Sequence, residues 1–344
     1  MRFLFIKPKQ IGDSLILTPT LTAAKQAYPG AQIWILIREG CEAIMAGCPA
    51  IDRVLTIAPV EMHERKKSQW LRDARTLFAL RKVKFDFVFE LGDGHRGRWF
   101  SLLCRRGKCY SVKPATPLNR FWRSRFDGIS SGEWEKTHRI EKDYMAVHEF
   151  LPLPQPPPPM VFEKARAISW EPAARLGDFA ILNVGTRQEW NRWDRESWLK
   201  VGRHLLGKTP NLVITCGPVA HEIADSEWLR EQLGDRVLCT LGKASWSELA
   251  DLFYRARLLV CPNTAAMHLA AACRCPTVAM FGRTSEVHWH PWHVPHRIVT
   301  SSTWIPGVDD PHDFQKIESR LMKDVSAESV ITACNDLLAE IRGR

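Results

Sequence analysis

Along the chain, short continuous apolar runs alternate with longer stretches whose apolar residues recur every three or four positions. FLFIK (Phe3 to Lys7) reads as a strand, Asp13 to Tyr28 as a helix ended by Pro29-Gly30, and IWILI (Ile33 to Ile37) as a second strand. A helical stretch near Cys41 to Ala46 and a strand at Val54 to Ile57 follow. The pattern continues through a basic helical segment (Lys66 to Lys82), a strand in DFVFEL (Asp86 to Leu91), a helix near Arg96 to Cys104 and a strand at Cys109 to Val112. Runs that are apolar at every position suit strands buried on both faces, and the alternation predicts a parallel sheet covered by helices on both sides. Pro114 to Lys136, rich in Arg and Trp, interrupts the pattern and reads as a loop.

PLPQPPPP, from Pro152 to Pro159, holds neither a helix nor an interior strand and reads as an extended, semi-rigid connector. Beyond it the alternation restarts with strands in FAILNVG (Phe179 to Gly185), NLVITCG (Asn211 to Gly217), VLCTLG (Val237 to Gly242), LLVCP (Leu258 to Pro262) and TVAMFG (Thr277 to Gly282). Helices are expected between them at Asp194 to Leu206, Ala220 to Leu233, Ser245 to Ala256 and through MHLAAAC, with a last amphipathic helix at Ala327 to Ile341. The expected organisation is a doubly wound α/β domain over residues 1–151, a linker at 152–160 and a second such domain over 161–325. The terminal helix, 326–344, is placed to cross back toward the first domain. Two similar halves in tandem imply a cleft between them.

The length of 344 residues agrees with two domains, and 45% apolar with 25% charged residues is a globular composition. No stretch reaches the roughly 20 apolar residues of a membrane span, and the first residues lack a signal-peptide core, so the cytoplasm is the expected compartment. The ten Cys are scattered, mostly inside apolar runs and without a CxxC pair, as buried free thiols are. Net charge is +10, and it is concentrated: Glu61 to Phe126 holds 17 Lys and Arg against 6 Asp and Glu, a net of +11, leaving the rest near neutrality. An acidic partner should therefore meet the protein there.

In doubly wound sheets, ligands bind beyond the carboxyl ends of the strands, where helix N-termini offer N–H groups to anions. The turns at those ends are IGDS (Ile11 to Ser14), NVGTR (Asn183 to Arg187), CGPVAHE (Cys216 to Glu222), LGKAS (Leu241 to Ser245), PNTAAMH (Pro262 to His268) and FGRTSE (Phe281 to Glu286). Five of the six fall in the second half, which makes that half the nucleotide-binding one. Neither GxGxxG after the first strand nor GxxxxGK[ST] occurs, against an NAD-type oxidoreductase and a P-loop NTPase. HWHPWHVPH (His288 to His296) has four His but no Cys or carboxylate to complete a ligand spacing, so no metal is expected. The stretch from Arg96 to Trp134 interleaves Arg with aromatics, which fits base stacking, a solvated charged face or a phosphorylated glycolipid; no RNA-binding signature accompanies it.

The run KPKQIGDSLILTPTLTAAKQAYPGAQI resembles the N-terminal signature of glycosyltransferase family 9, the bacterial heptosyltransferases of lipopolysaccharide core assembly. TRQEWNRWDRESW, ITCGPVAHE, LGKASWSELADLFYRARLLVCPNTAAMHLAAA and TVAMFGRTSEVHWHPW are similar to the same family, in family order. Within it, RWD, the AAMH turn and FGRTSEVHWHPW most resemble the members that add the third, branching heptose. The resemblance implies the two-domain GT-B fold and metal-independent, inverting transfer from ADP-L-glycero-β-D-manno-heptose to the phosphorylated inner core. It implies no cofactor, no nucleic-acid partner, and work at the cytoplasmic face of the inner membrane, in peripheral contact with its anionic surface.

Carried onto this sequence, the resemblance makes Asp13 the general base, where position alone reads as a helix N-cap. It places Thr186, Arg192, Thr264 and His268 near the diphosphate with Asn263 and Ala265, Glu222 at the ribose, and Lys243 and Ala244 along the adenine. Thr264 as a simple cap, Glu222 as a solvated helix residue and His268 as a core histidine are the competing readings. Acceptor contacts are expected from Arg96, Arg98, Arg120, Arg123, Arg125, His138 and Arg139. Two positions depart from the family pattern: Asn191 stands where a phosphate-contacting Lys is usual, and Asn263-Thr264-Ala265 where Asp-Thr/Ser-Gly is usual. These keep open a heptosyltransferase of another position, a GT-B transferase or epimerase of another nucleotide sugar, and a non-catalytic glycolipid- or RNA-binding protein.

Overall fold

The computed structural model describes residues 1–59, 67–104, 107–114, 117–132, 136–301 and 321–342. It divides into two compact units, Met1–Val161 and Phe162–Arg344. Part of the basic stretch (Glu61 to Lys66, Arg105 and Arg106) and Trp134 lie outside the described residues.

The first unit is a parallel sheet in the order β3-β2-β1-β4-β5-β6. Its strands are β1 (Arg2–Lys7), β2 (Gln32–Arg38), β3 (Arg53–Ile57), β4 (Phe87–Glu90), β5 (Lys108–Ser111) and β6 (Gly128–Ile129). Phe3 to Lys7 are all buried, the consequence of helices on both faces. What reads as one helix from Asp13 to Tyr28 is two, α1 (Ile11–Leu15) and α2 (Thr18–Ala27). Pro19 sits in the first turn of α2, where its missing N–H costs nothing, and the break falls just before it. The short α3 (Glu42–Met45) follows β2.

On one sheet face, α4 (Lys67–Arg81), α5 (His95–Cys104) and the short α6 (Arg120–Arg123) pack Leu80, Phe100, Cys104, Trp122 and Phe126 against Leu4, Ile6, Val88 and Cys109. The loop expected over Pro114 to Lys136 is thereby corrected among its described residues. Trp122 anchors α6 in the core, Asn119 caps it, and β6 pairs with β5 through Tyr110↔Gly128. Such a short helix and strand leave no periodicity to read. α7 (Arg139–His148), also unforeseen, packs on α2. The proline-rich run lies along this unit: Tyr144 donates to the Pro154 carbonyl, the Leu153 N–H to His148 Nδ1 (3.0 Å), and the Val161 N–H to Thr18 Oγ1 (3.4 Å).

The second unit repeats the topology, with a parallel sheet in the order β12-β11-β10-β7-β8-β9. Its strands are β7 (Phe179–Asn183), β8 (Asn211–Thr215), β9 (Val237–Cys239), β10 (Leu259–Pro262), β11 (Thr277–Phe281) and β12 (His296–Thr300). Its helices start where the sequence supplies caps. Asp194 accepts the Ser197 N–H at the head of α8 (Arg195–Leu206), and Ser245 and Glu248 form a capping box on α10 (Trp246–Arg255). α9 (Ala220–Leu233), α11 (Ala265–Ala272) and α12 (Glu286–Trp289) complete the crossovers. α13 (Ala327–Arg342) packs on α8, β11 and β12 of its own unit. All ten Cys are free, and all but the half-buried Cys239 are buried.

Candidate active site

In each sheet the chain reverses its direction of winding once, between β1 and β4 in the first unit and between β7 and β10 in the second. At such switch points the outgoing turns diverge and leave a crevice beyond the carboxyl ends.

In the first unit the turns after β1 and β4 touch: a Cβ on Gly92 would lie 2.9 Å from Pro8 Cδ. Asp13 is in the first turn of α1, but the N-cap position belongs to Gln10, and no side chain caps the helix. The N-cap reading of Asp13 is therefore wrong, and its half-buried carboxylate is available for other chemistry. The N-terminal turns of α7 bring Arg139, Lys142 and Asp143 to the same place. Lys7, at the end of β1, forms a buried ion pair with Asp143. Burial pushes the Arg139 guanidinium below its ordinary range, and Asp143, Asp13 and Asp93 oppose that push. Burial lowers Lys142 as well, aided by Arg139. Three cations and three carboxylates thus share one poorly hydrated corner.

Beside it, β4 ends in Glu90, which is fully buried. Its carboxylate accepts the Gly92 N–H at 3.0 Å and the Ser111 hydroxyl at 3.1 Å. A Cβ on Gly97 would come within 2.7 Å of Glu90 Oε1, so glycine is what lets α5 approach. Burial pushes the Glu90 carboxyl up to about 7, with Arg98 and the Ser111 hydrogen bond pulling it down.

The arginines expected to meet an acceptor separate into two groups. Arg96 pairs with Asp73 and donates to the Ala58 carbonyl, and Arg98, buried, pairs with Asp93 at 2.7 Å; both hold the unit together. Arg120, Arg123 and Arg125 are exposed at α6, Arg125 with its guanidinium 5.0 Å from the Phe121 ring. His138 is buried at the N-cap of α7, its Nδ1 accepting the Ile140 N–H at 3.1 Å.

In the second unit the switch point is tied by amides. Asn183 donates to the Gly185 carbonyl (3.1 Å) and to Thr264 Oγ1 (3.4 Å), and accepts from Thr215 Oγ1 (3.0 Å), joining the ends of β7, β8 and β10. Asn191 donates to the Asn263 carbonyl at 3.1 Å, and the Asn263 amide to Thr284 Oγ1 at 2.9 Å. Thr264 occupies the N-cap of α11 without a side-chain cap bond, and Ala265 opens the helix. Glu222 is buried rather than solvated: it accepts the Gly217 N–H, and a Cβ on Gly185 or Gly217 would stand 2.6 or 2.8 Å from its Oε2. Gly242, at φ +68°, lets the turn after β9 lie on Gly217, where a Cβ would meet the carbonyl at 2.6 Å. Exposed Lys243 and half-buried Ala244 follow.

Thr264, Thr186, Glu222 and Lys243 thus follow four adjacent strands, β10, β7, β8 and β9, in a row along one sheet edge. Arg192 pairs with Asp225 at 3.1 Å, Thr186 is buried, and His268 is buried with its ring 6.0 Å from Trp289. The His-rich segment stacks on itself, His290 on His296 at 5.7 Å and Trp292 on His293 at 4.4 Å. Among the described residues, no group of three or more His, Cys, Asp or Glu is arranged to hold a metal. Lys7, Glu90, Lys142, Asp143 and Asn183 are the site residues missed from sequence. A charge closing an apolar run, as Lys7 and Glu90 do, was the available signal.

The sequence profile of glycosyltransferase family 9 (heptosyltransferase) matches residues 74–317. The chain is 25% identical over 348 residues to Lipopolysaccharide heptosyltransferase 3 of Escherichia coli, covering 96% of each chain. It is 25% identical over 296 residues to Lipopolysaccharide heptosyltransferase 1 of Pseudomonas aeruginosa, covering 83% of this chain and 79% of that one. The family 9 glycosyl transferase of Veillonella parvula superposes with a TM-score of 0.79 at 18% identity, over 98% of this chain and 97% of that chain. Escherichia coli heptosyltransferase WaaC with ADP gives a TM-score of 0.78 at 18% identity, over 98% and 100%. The architecture is the GT-B fold.

Glu90 makes stability depend on pH. Its proton is held up to about pH 7 in the folded chain against an ordinary value of 4.5. Below 4.5 both states are protonated; as pH rises toward 7 only the unfolded chain ionises, and stability falls by on the order of 3 kcal/mol in total. Glu90→Gln should flatten this part of the profile in denaturant titrations across that range. An unchanged slope would contradict the assignment.

Proposed function

The chain belongs to glycosyltransferase family 9, and from that premise we propose that this glycosyltransferase moves a heptose from ADP-L-glycero-β-D-manno-heptose to the inner core of lipopolysaccharide, adding the branching heptose. Its similarity to Lipopolysaccharide heptosyltransferase 3 over 96% of both chains supports the position of transfer. The observation that carries the reaction is Asp13, a carboxylate at a sheet switch point that does not cap its own helix.

Inversion requires the acceptor hydroxyl to attack the anomeric carbon from the face opposite ADP. The new C–O bond forms as the bond to the diphosphate oxygen breaks. Asp13 takes the hydroxyl proton in that step, at hydrogen-bond distance, as a base of ordinary strength that acts only when the hydroxyl is becoming acidic. Arg139 keeps Asp13 ionised and orients it. ADP leaves with new negative charge, which the N-terminus of α11, the Thr186 and Thr264 hydroxyls and Arg192 stabilise without a metal. Glu222, already turned toward the β7 and β8 turns, takes the ribose hydroxyls, and Lys243 with Ala244 borders the adenine.

Asn191 favours testing the donor directly. Its side chain is occupied as a strut on the Asn263 carbonyl, so Arg192 carries the cationic role alone. The acceptor is a lipid, which sets the reaction at a membrane surface; among the described residues, no helix is long and apolar enough to cross one.

Asp13→Ala should lower kcat for heptose transfer by roughly 10²- to 10⁴-fold, with donor affinity nearly unchanged. Near-normal transfer by the variant would remove Asp13 as the base. In thermal unfolding, ADP-heptose should raise the midpoint more than UDP- or GDP-sugars at equal concentration, because only a ligand bound by the folded state stabilises it. A larger shift with a UDP- or GDP-sugar would reassign the donor.

A further inference from the structure

The outer face of the α4, α5 and α6 layer carries a feature that the transfer chemistry does not use. Its inner face is the buried cluster around Leu80, Phe100 and Trp122, so the opposite side of each helix looks away from the sheet. That side is not polar. Trp70, Leu71 and Phe78 on α4 are 59%, 61% and 66% exposed, and Trp99 and Leu103 on α5 and Phe121 on α6 are exposed as well. α4 packs on α5, and Trp99 stands 6.0 Å from Phe121, so the three helices form one continuous layer.

The charges on this layer have one sign. Among the described residues from 68 to 126, every fully exposed charged side chain is Lys or Arg, while Asp73, Asp86, Glu90 and Asp93 are buried or half-buried. Arg75 lies between Leu71 and Phe78 on α4, and Arg81, Lys82 and Lys84 follow at its end. Large apolar side chains on a helix face edged by cations match the headgroup region of an anionic bilayer, where Trp and Phe enter the interface and Lys and Arg meet lipid phosphates. Nucleic acid fits the cations but not Leu71 and Leu103, which offer no stacking surface.

We propose that this face docks the protein on a bilayer containing anionic lipids, Trp70, Leu71 and Phe78 entering the interface and the surrounding cations seating it. The proposal deepens the reading above, resting on it for the lipid nature of the acceptor, and it names the surface that meets the membrane. Trp99 and Phe121 join that surface to Arg120, Arg123 and Arg125, so an acceptor embedded in the same bilayer lies beside the arginines assigned to it.

The test is flotation of the full chain with vesicles of phosphatidylcholine and phosphatidylglycerol, against vesicles of phosphatidylcholine alone, none containing lipopolysaccharide. The wild type should float with the anionic vesicles and be released by salt. Leu71→Ser/Phe78→Ser should weaken that binding by roughly tenfold or more, and Arg75→Glu/Lys82→Glu should abolish it at moderate salt. Because these side chains are exposed, thermal midpoints should stay near the wild-type value. Transfer to a soluble, delipidated core oligosaccharide should be unchanged in both variants, and transfer to a vesicle-embedded acceptor should fall with binding. Loss of the transfer reading would appear as no transfer to the soluble acceptor, with flotation intact. Absence of flotation, equal flotation of wild type and variants, or a concentration-dependent dimer dissolved by Leu71→Ser/Phe78→Ser without vesicle binding would overturn the proposal.

Discussion

A parallel strand buried on both faces can meet a ligand only at its carboxyl end, and nearly everything proposed for this protein depends on that constraint. β1, β7 and β11 have no side chain with which to reach solvent from their interiors. Chemistry is confined to the turns that follow, and the turns need ties of their own. In the second unit the ties are neutral, with Asn183, Asn191 and Asn263 linking turns after β7, β8, β10 and β11. In the first they are ionic, with Lys7 and Asp143 paired in the interior. Breaking one partner of such a pair leaves a buried charge uncompensated, so the pair fixes where α7 meets β1 and where Arg139 stands relative to Asp13.

Charge in the first unit serves two purposes that composition cannot separate. The net of +11 between Glu61 and Phe126 counts Arg96 and Arg98 as free cations. Both are engaged, on Asp73 and Asp93. The acids of that stretch are turned inward and the remaining described cations outward, so the surface is more uniformly positive than the sum suggests. A carboxylate in the interior, such as Glu90, is then shielded from that surface and governed by its own desolvation.

Strong periodicity made most of the fold legible. The expected helix over Ala220 to Leu233 is α9 to the residue, and Asp194 and Ser245 announced the helices they cap. What escaped was short or locally ambiguous: the two-residue β6, the four-residue α6 and the break between α1 and α2. The site divides in the same way. Turns at strand ends can be found in sequence, which is how Asp13, Glu222 and Thr264 became candidates. A partnership such as that of Lys7 with Asp143, 136 residues away, has no local signature. Nor does sequence say that Asn191, standing where a Lys is usual in the family, serves as a strut.

The most direct measurement is a transfer assay with purified protein, ADP-heptose and a series of defined truncated core acceptors, read by mass. The account predicts addition of one heptose to an acceptor that already carries two heptoses, and none to shorter ones. Addition to no acceptor in the series, or transfer from a UDP- or GDP-sugar in preference to ADP-heptose, would contradict it.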